Sequence, residues 1–304
     1  MTYISIVIPL YNKQDFIIKA LESIKAQSYK NFEVIIIDDG SLDKSCKVVD
    51  KWLKDNEKLS NSFQIYTQPN QGVSAARNNG VKKAKYSYIA FLDADDYWLS
   101  NHLLDLVELI DKYSNDVDMF STSIQLELDQ ENISPKLGEY VDYIGIVDFF
   151  KVSMISQGFI HSSSVCVKKE IITKYKFPEN MKNFEDVATW ARISNSKGFA
   201  FSYKRSTVYV ADAAEASVKV DFLNYIRLEE IFSNIEYNEN VLDKYIKKVF
   251  LFSILAARVQ MPISNYSKEL ISVFGKSKIV TIYSIIGLLI PKLILKFIRN
   301  KRKR

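Results

Sequence analysis

Through the first hundred positions of this 304-residue chain, blocks of β-branched and aliphatic residues alternate with stretches of helical spacing. Ile4 to Leu10 is apolar apart from Ser5 and contains Pro9, a run that predicts a buried strand. Phe16, Ile17, Ala20, Leu21 and Ile24 then recur at helical intervals and predict a helix over Asp15 to Ser28. The same alternation predicts strands at Phe32 to Ile37, Gln64 to Thr67 and Tyr86 to Leu92. Helices are predicted over Ser41 to Leu59, Val73 to Lys85 and Tyr97 to Tyr113. This is the pattern of a mostly parallel sheet covered by helices, an α/β fold. Beyond Asp118 the rhythm loosens: strands are expected at Asp118 to Leu128, Ser163 to Val167 and Phe199 to Val210. Helices are expected at Val147 to Ser156, Lys169 to Tyr175 and Phe184 to Ser196. From Phe222 the chain reads as helical, with Val241, Leu242, Tyr245, Ile246, Val249 and Phe250 forming an apolar stripe that runs on through Ile254 and Leu255. The expected division is an α/β domain over residues 1–217 and a helical region over 218–304.

In sheets of this kind ligands bind beyond the carboxyl ends of the strands. Three polar clusters stand at such ends: Pro9-Leu10-Tyr11-Asn12, Asp38-Asp39-Gly40 and Asp93-Ala94-Asp95-Asp96. In the last, each carboxylate raises the cost of ionising the next, and a divalent cation or a donor-rich ligand opposite them would remove that cost. The alternative is a solvated turn in which Asp96 caps the following helix.

The formal charge of +5 does not indicate a nucleic-acid partner once its location is known. Nine Lys and Arg and no acid lie between Lys276 and Arg304, which leaves −4 on the residues before them. Two distant cysteines, Cys46 and Cys166, and two histidines, His102 and His161, lack the spacing of a zinc site or a disulfide framework. The first residues lack the basic segment and cleavage site of a signal peptide, so a cytoplasmic, reducing location is expected.

Four segments in order, Ser5-Ile6-Val7-Ile8-Pro9-Leu10-Tyr11-Asn12, Ile37-Asp38-Asp39-Gly40-Ser41, Asn70-x-Gly72-Val73-Ser74-Ala75-Ala76-Arg77-Asn78 and Phe91-Leu92-Asp93-Ala94-Asp95-Asp96, closely resemble the family 2 glycosyltransferases, inverting enzymes of the GT-A fold. A later segment, Asn183-Phe184-Glu185-Asp186, looks like the family's Glu-Asp motif. The resemblance implies that Pro9, Tyr11, Asn12, Asp39, Arg77, Asp93 and Ala94 bind a UDP-sugar. In that reading Pro9 and Tyr11 line the uracil pocket, Asp39 accepts the imide N–H and Asp93 faces the ribose. It implies that Asp95 anchors Mn2+ or Mg2+ on the diphosphate, that Asp186 is the general base, and that Glu185 orients acceptor or base. Many relatives add a histidine near the end of the domain, but the matching stretch here, Val208 to Lys219, has none. Asp212 and Glu215 stand in that stretch as possible substitutes. The Gln-x-x-Arg-Trp motif of processive members is also missing, so transfer of a single sugar is expected.

The apolar run Ile279 to Pro291 is too short to span a bilayer, and Lys292, Lys296 and Arg299 follow among Leu293, Ile294, Leu295, Phe297 and Ile298. This reads as an interfacial helix with a polybasic end, suited to a membrane surface and a polyprenyl-diphosphate-linked glycan acceptor, as in O-antigen or capsule assembly. A helix packed on protein is the other reading of that tail. The competing function is a catalytically silent nucleotide-sugar binder. A nucleotidyltransferase or a dehydrogenase would need a Gly-rich loop after the first strand, where Pro9-Leu10-Tyr11-Asn12 stands instead.

Overall fold

The computed structural model describes residues 1–128, 131–156, 159–195, 197–211, 222–237, 241–248, 263–273, 276–277, 281–282 and 284–286. One compact unit comprises Met1–Asn180 with Glu185–Ala213, and a second comprises Met181–Phe184 with Ala214–Arg304.

In the first unit, β1 (Ile4–Leu10), β2 (Phe32–Asp38), β3 (Phe63–Thr67) and β4 (Tyr88–Phe91) pair in parallel, in the spatial order β3-β2-β1-β4. Between them in sequence lie α1 (Ile17–Lys25), α2 (Ser45–Asp55), the short α3 (Glu57–Ser60) and α4 (Val73–Lys83). Every residue of β1 and β2 is buried, which is why neither sequence alternates polar and apolar positions. Ile4, Ile6, Ile8 and Leu10 join Leu21 and Ile24 of α1 in one core cluster. Full burial of each such side chain stabilises the fold by about 1.5–3 kcal/mol. On the other face Val7 sits against α4, and Gly80 permits the approach. A Cβ added there would lie 2.3 Å from Val7 Cγ1.

The same sheet continues through β9, β6, β10 and β5. These are β5 (Tyr97–Trp98), β6 (Met119–Leu128), β9 (Val165–Lys168) and β10 (Phe199–Ala211), with β7 (Glu131–Ile133) and β8 (Ile144–Val147) pairing β6 and β10. Pairing in this half is mixed: β9 is antiparallel to both β4 and β6, whereas β6 and β10 are parallel. Helices α5 (His102–Tyr113), α6 (Phe149–Ile155), α7 (Lys169–Tyr175) and α8 (Glu185–Ser194) complete the unit. The helix expected from Tyr97 begins at His102 instead. Tyr97 and Trp98 form β5 because they pair antiparallel with Val208 and Thr207 of β10, a partner more than a hundred residues away.

In the second unit, Phe222–Ser233, residues 241–248 and Ile263–Val273 are helical. Phe232 and Tyr245 pack with ring centroids 5.7 Å apart, and the buried Tyr266 hydroxyl donates to the Ser284 carbonyl at 2.9 Å. Of the predicted apolar stripe, Leu242, Tyr245 and Ile246 are buried. Val249, Phe250, Ile254 and Leu255, as well as Asp212, Glu215 and almost all of the basic tail, lie outside the described residues. Among the described residues no helix is long and apolar enough to cross a membrane.

Candidate functional site

Parallel pairing in register brings the carboxyl ends of β1, β2 and β3 level. Leu10 pairs Asp38, which in turn pairs Thr67. The loops that follow are fastened to one another. Asn12, with φ +51°, donates its N–H to Ser41 Oγ at 3.0 Å, and its Oδ1 accepts from Leu42 N at 2.8 Å. Asn tolerates this left-handed backbone better than most residues. Pro9 is buried, while Tyr11 is 41% exposed at the mouth of the loop.

Asp39 is almost fully buried and ties β2 to the entry of α4. Its Oδ1 accepts from Gln68 Nε2 at 2.7 Å and Gln71 N at 2.9 Å, and its Oδ2 accepts from Gly72 N at 2.7 Å. A carboxylate has about four lone-pair sites, so these donors do not exhaust it. Gly72 caps α4 at φ +92°, a backbone open to glycine at no steric cost.

The acid run turns sharply after β4, with Asp96 N donating to the Asp93 carbonyl at 3.0 Å. Its three carboxylates and Ala94 have different surroundings. Asp93 Oδ1 accepts from Arg77 Nη2 at 2.7 Å, Asp95 pairs with Lys13 Nζ at 2.9 Å, and Ala94 is buried. Asp96 is buried and caps no helix. Its Oδ1 accepts from Val210 N at 3.0 Å and its Oδ2 from Ser163 Oγ at 2.5 Å. Burial, followed by the charges of Asp93 and Asp95, pushes the Asp96 carboxyl well above the usual range. Burial also acts upward on Asp93, but Arg77, His161 and Lys13 outweigh it and hold that carboxyl low.

His161 joins this group through sheet register. Antiparallel pairing of β4 and β9 sets Ala90 against Cys166, and continuing that register sets Asp93 against Ser163 and brings His161 to the acid turn. Accordingly Asp93 N donates to Ser163 Oγ at 3.1 Å, and His161 Nδ1 lies 3.5 Å from Asp96 Oδ2. Ligand atoms of Asp93, Asp96 and His161 all fall within 4.8 Å of one another. Two carboxylates and an imidazole fit a divalent cation of the Mn2+ type. Sequence spacing had pointed to no role for His161. The Ser162-Ser163-Ser164 run ahead of a strand was the one local sign of a polar contact there.

Arg77 joins the acid turn to the start of α8. It is 3% exposed, with Nη2 on Asp93 and Nη1 on Glu185 Oε1 at 3.0 Å, and its guanidinium carbon stands 5.2 Å from the centroid of the Phe177 ring. Asp93 and Glu185 each hold the guanidinium more firmly protonated against the opposing effect of burial. Glu185 is nearly buried, and burial together with the charge of Asp186 pushes its carboxyl up to about 7. Asp186 is half-buried, and its Oδ1 accepts from Val187 N at 2.7 Å. Acids in the first turn of α8 also suit the positive end of the helix dipole. Phe184, immediately before them, has φ +64°, a rare backbone for a bulky residue.

Residues 5–146 match the family model of glycosyl transferase family 2. Over those residues the chain resembles that family. Similar proteins include an uncharacterized glycosyltransferase of Rickettsia bellii, 32% identical over 196 residues that cover 63% of this chain and 26% of that protein. The amylovoran biosynthesis glycosyltransferase AmsB of Erwinia amylovora is 30% identical over 206 residues, 65% of each chain. The chain spans less than half the length of the curated relatives it matches first. The crystal structure of S. aureus TarS 1–349 in complex with UDP-GlcNAc aligns with 99% of this chain and 92% of its own at 17% identity, with a TM-score of 0.69. The chain thus has the expected GT-A fold, a sheet flanked by helices with further helices at the C-terminal side.

Proposed function

We propose that this chain is a metal-dependent inverting glycosyltransferase. It moves one hexose or N-acetylhexosamine from a UDP-sugar to a hydroxyl of a glycan acceptor carried on a lipid diphosphate. The observation that carries this reading is the junction at Arg77, which ties the acid turn to Glu185 at the head of the helix bearing Asp186, although ninety residues separate Asp95 from Glu185. UDP-GlcNAc in the TarS complex supports a UDP-sugar donor, and the name of AmsB supports a polysaccharide product.

In this reading Pro9, Tyr11 and Asn12 border the base, Asp39 accepts the uracil imide N–H and Asp93 takes the ribose. Arg77 and Ala94 shape the floor beneath them. Asp186 removes the proton of the acceptor hydroxyl as the glycosidic bond forms, and Glu185 holds that base in place. Asp95 of the acid turn, with Asp96 and His161 close by, would hold Mn2+ or Mg2+, which when bound supplies positive charge for the departing diphosphate. Lys13, in the loop after β1, pairs with Asp95 at 2.9 Å. The basic tail would bring the enzyme to an anionic membrane surface, each basic residue adding about 1 kcal/mol near the lipid. In whole cells this places it on the cytoplasmic face.

Titration calorimetry with UDP, CDP and GDP in the presence of Mn2+ tests the donor class. Cytosine lacks the imide N–H, and a hydrogen bond to a charged group contributes about 1.5–3 kcal/mol. UDP is therefore expected to bind about ten- to hundredfold more tightly than CDP. Equal affinities for the three nucleotides, or no binding of UDP, would sink the donor assignment.

A further inference from the structure

We infer that Gln68 is a positioning residue that makes Asp39 selective for uracil, by occupying Asp39 Oδ1 so that Oδ2 alone is left to accept the imide N–H. The inference rests on the UDP-sugar reading above and deepens it, because it extends base selection from the carboxylate to the side chain that sets which of its oxygens is in use.

The direction of every bond in this network is forced. A carboxylate only accepts, so Gln68 turns its NH2 group toward Asp39, where Nε2 donates to Oδ1 at 2.7 Å. Gln68 Oε1 then faces α4, where it accepts from Asn79 Nδ2 at 2.5 Å. Asn79 Oδ1 in turn accepts from Lys82 Nζ at 3.2 Å. The donors therefore run one way, from an ammonium through two carboxamides to Asp39. The backbone of Gln68 is held as well: its N–H donates to the Asp38 carbonyl at 2.9 Å, one residue beyond the pairing of Asp38 with Thr67. Each carboxylate oxygen has about two lone-pair positions. Gln68 Nε2 and Gln71 N fill both on Oδ1, whereas Oδ2 accepts from Gly72 N and, among the described residues, from no other donor. One acceptor position remains, suited to a single N–H. Uracil offers its imide N–H there. Cytosine has a bare ring nitrogen at the same place, and its exocyclic amine, one ring position away, meets an oxygen already filled.

The test is titration calorimetry of UDP and CDP, both with Mn2+, on the wild type and on Gln68→Met, whose side chain matches glutamine in length but cannot donate. Freeing Oδ1 gives the cytosine amine an acceptor and lets the carboxylate turn away from the imide. The expected result is weaker UDP binding with CDP binding unchanged or tighter, so that the ratio of UDP to CDP affinity falls about tenfold. A merely structural role for Gln68 would weaken both nucleotides alike. Asn79→Ala serves as the second variant, and stands in for the first should that one fail to fold. It keeps Gln68 but releases its carboxamide to rotate, and is expected to lower the ratio in the same direction by about threefold. An unchanged ratio in the variants, or UDP and CDP affinities that fall in parallel, would overturn the assignment of Gln68 and leave the UDP-sugar reading standing. A wild type that binds UDP and CDP equally would remove that reading, and the role of Gln68 with it.

Discussion

Replacing Asp186 with Asn is expected to lower sugar transfer by about 10²- to 10⁴-fold, the range associated with losing a positioned general base. The substitution keeps side-chain volume, and the Asn carbonyl can still accept from Val187 N, as Asp186 Oδ1 does now at 2.7 Å. The residue is only half-buried, so the fold should be nearly unaffected, within about 0.5 kcal/mol. UDP affinity should hold too, because the proposed base touches the acceptor and not the nucleotide. Loss of turnover with unchanged UDP binding and melting temperature is thus the expected signature. It separates Asp186 from Glu185, whose carboxylate carries an ion pair to Arg77 and whose replacement would disturb the structure. An Asp186→Asn protein with near-normal turnover would remove the base assignment.

Arg77→Met should have the largest effect on stability. Methionine can replace the stem of the arginine against Phe177, but both ion pairs are lost, leaving Asp93 and the nearly buried Glu185 without their cation. Breaking a buried pair on one side costs about 3–5 kcal/mol, chiefly because a charge remains behind in a poor solvent. At about 2–4 °C per kcal/mol for a unit of this size, the melting temperature should fall by roughly 6–20 °C. The loss should depend on pH in a definite direction. Arg77 now opposes the burial that pushes the Glu185 carboxyl up to about 7, so removing it moves that carboxyl higher still. Below its pKa the group is neutral and carries no unpaired charge. The gap between wild type and variant should be wide above the variant's raised Glu185 pKa and narrow as pH falls to about 7, below which Glu185 is neutral in both proteins. Lysine at the same position keeps the charge but not the planar fork that reaches two carboxylates, and should lose less. A variant as stable as wild type at pH 8 would show that the junction at Arg77 is not what ties the acid turn to α8.

The half of the site nearest the amino terminus was legible because local pattern and topology coincide there. The strands β1 and β2 are buried along their whole length and alternate with helices, so their ends had to lie along one edge of the sheet. The acid run, Arg77 and the Glu-Asp pair were visible as motifs, and the structure brings Asp93, Arg77 and Glu185 together. What the sequence concealed comes from pairing over long distances. Tyr97 and Trp98 have spacing that suits a helix, yet they form β5 because Thr207 and Val208 offer an open edge. His161 has no metal-like spacing with any other residue. It reaches the acid turn only because β9 inserts antiparallel between β4 and β6, which no local rule reveals. Gly145 interrupts the short run of β8, whose outward-facing Ile144 and Ile146 lend it no burial signature to distinguish it from the adjoining helix.

The central claim is the reaction, and its most direct test is UDP release from a panel of UDP-sugars with a synthetic lipid-diphosphate glycan acceptor. The assay is run with Mn2+ and with chelator, and the anomeric configuration of the product is read by proton NMR. The account predicts release from one donor, stimulated by acceptor, abolished by chelator, and yielding a β-linked product from an α-linked donor. Release that is indifferent to metal, a product of retained configuration, or UDP binding without turnover on any acceptor would contradict it.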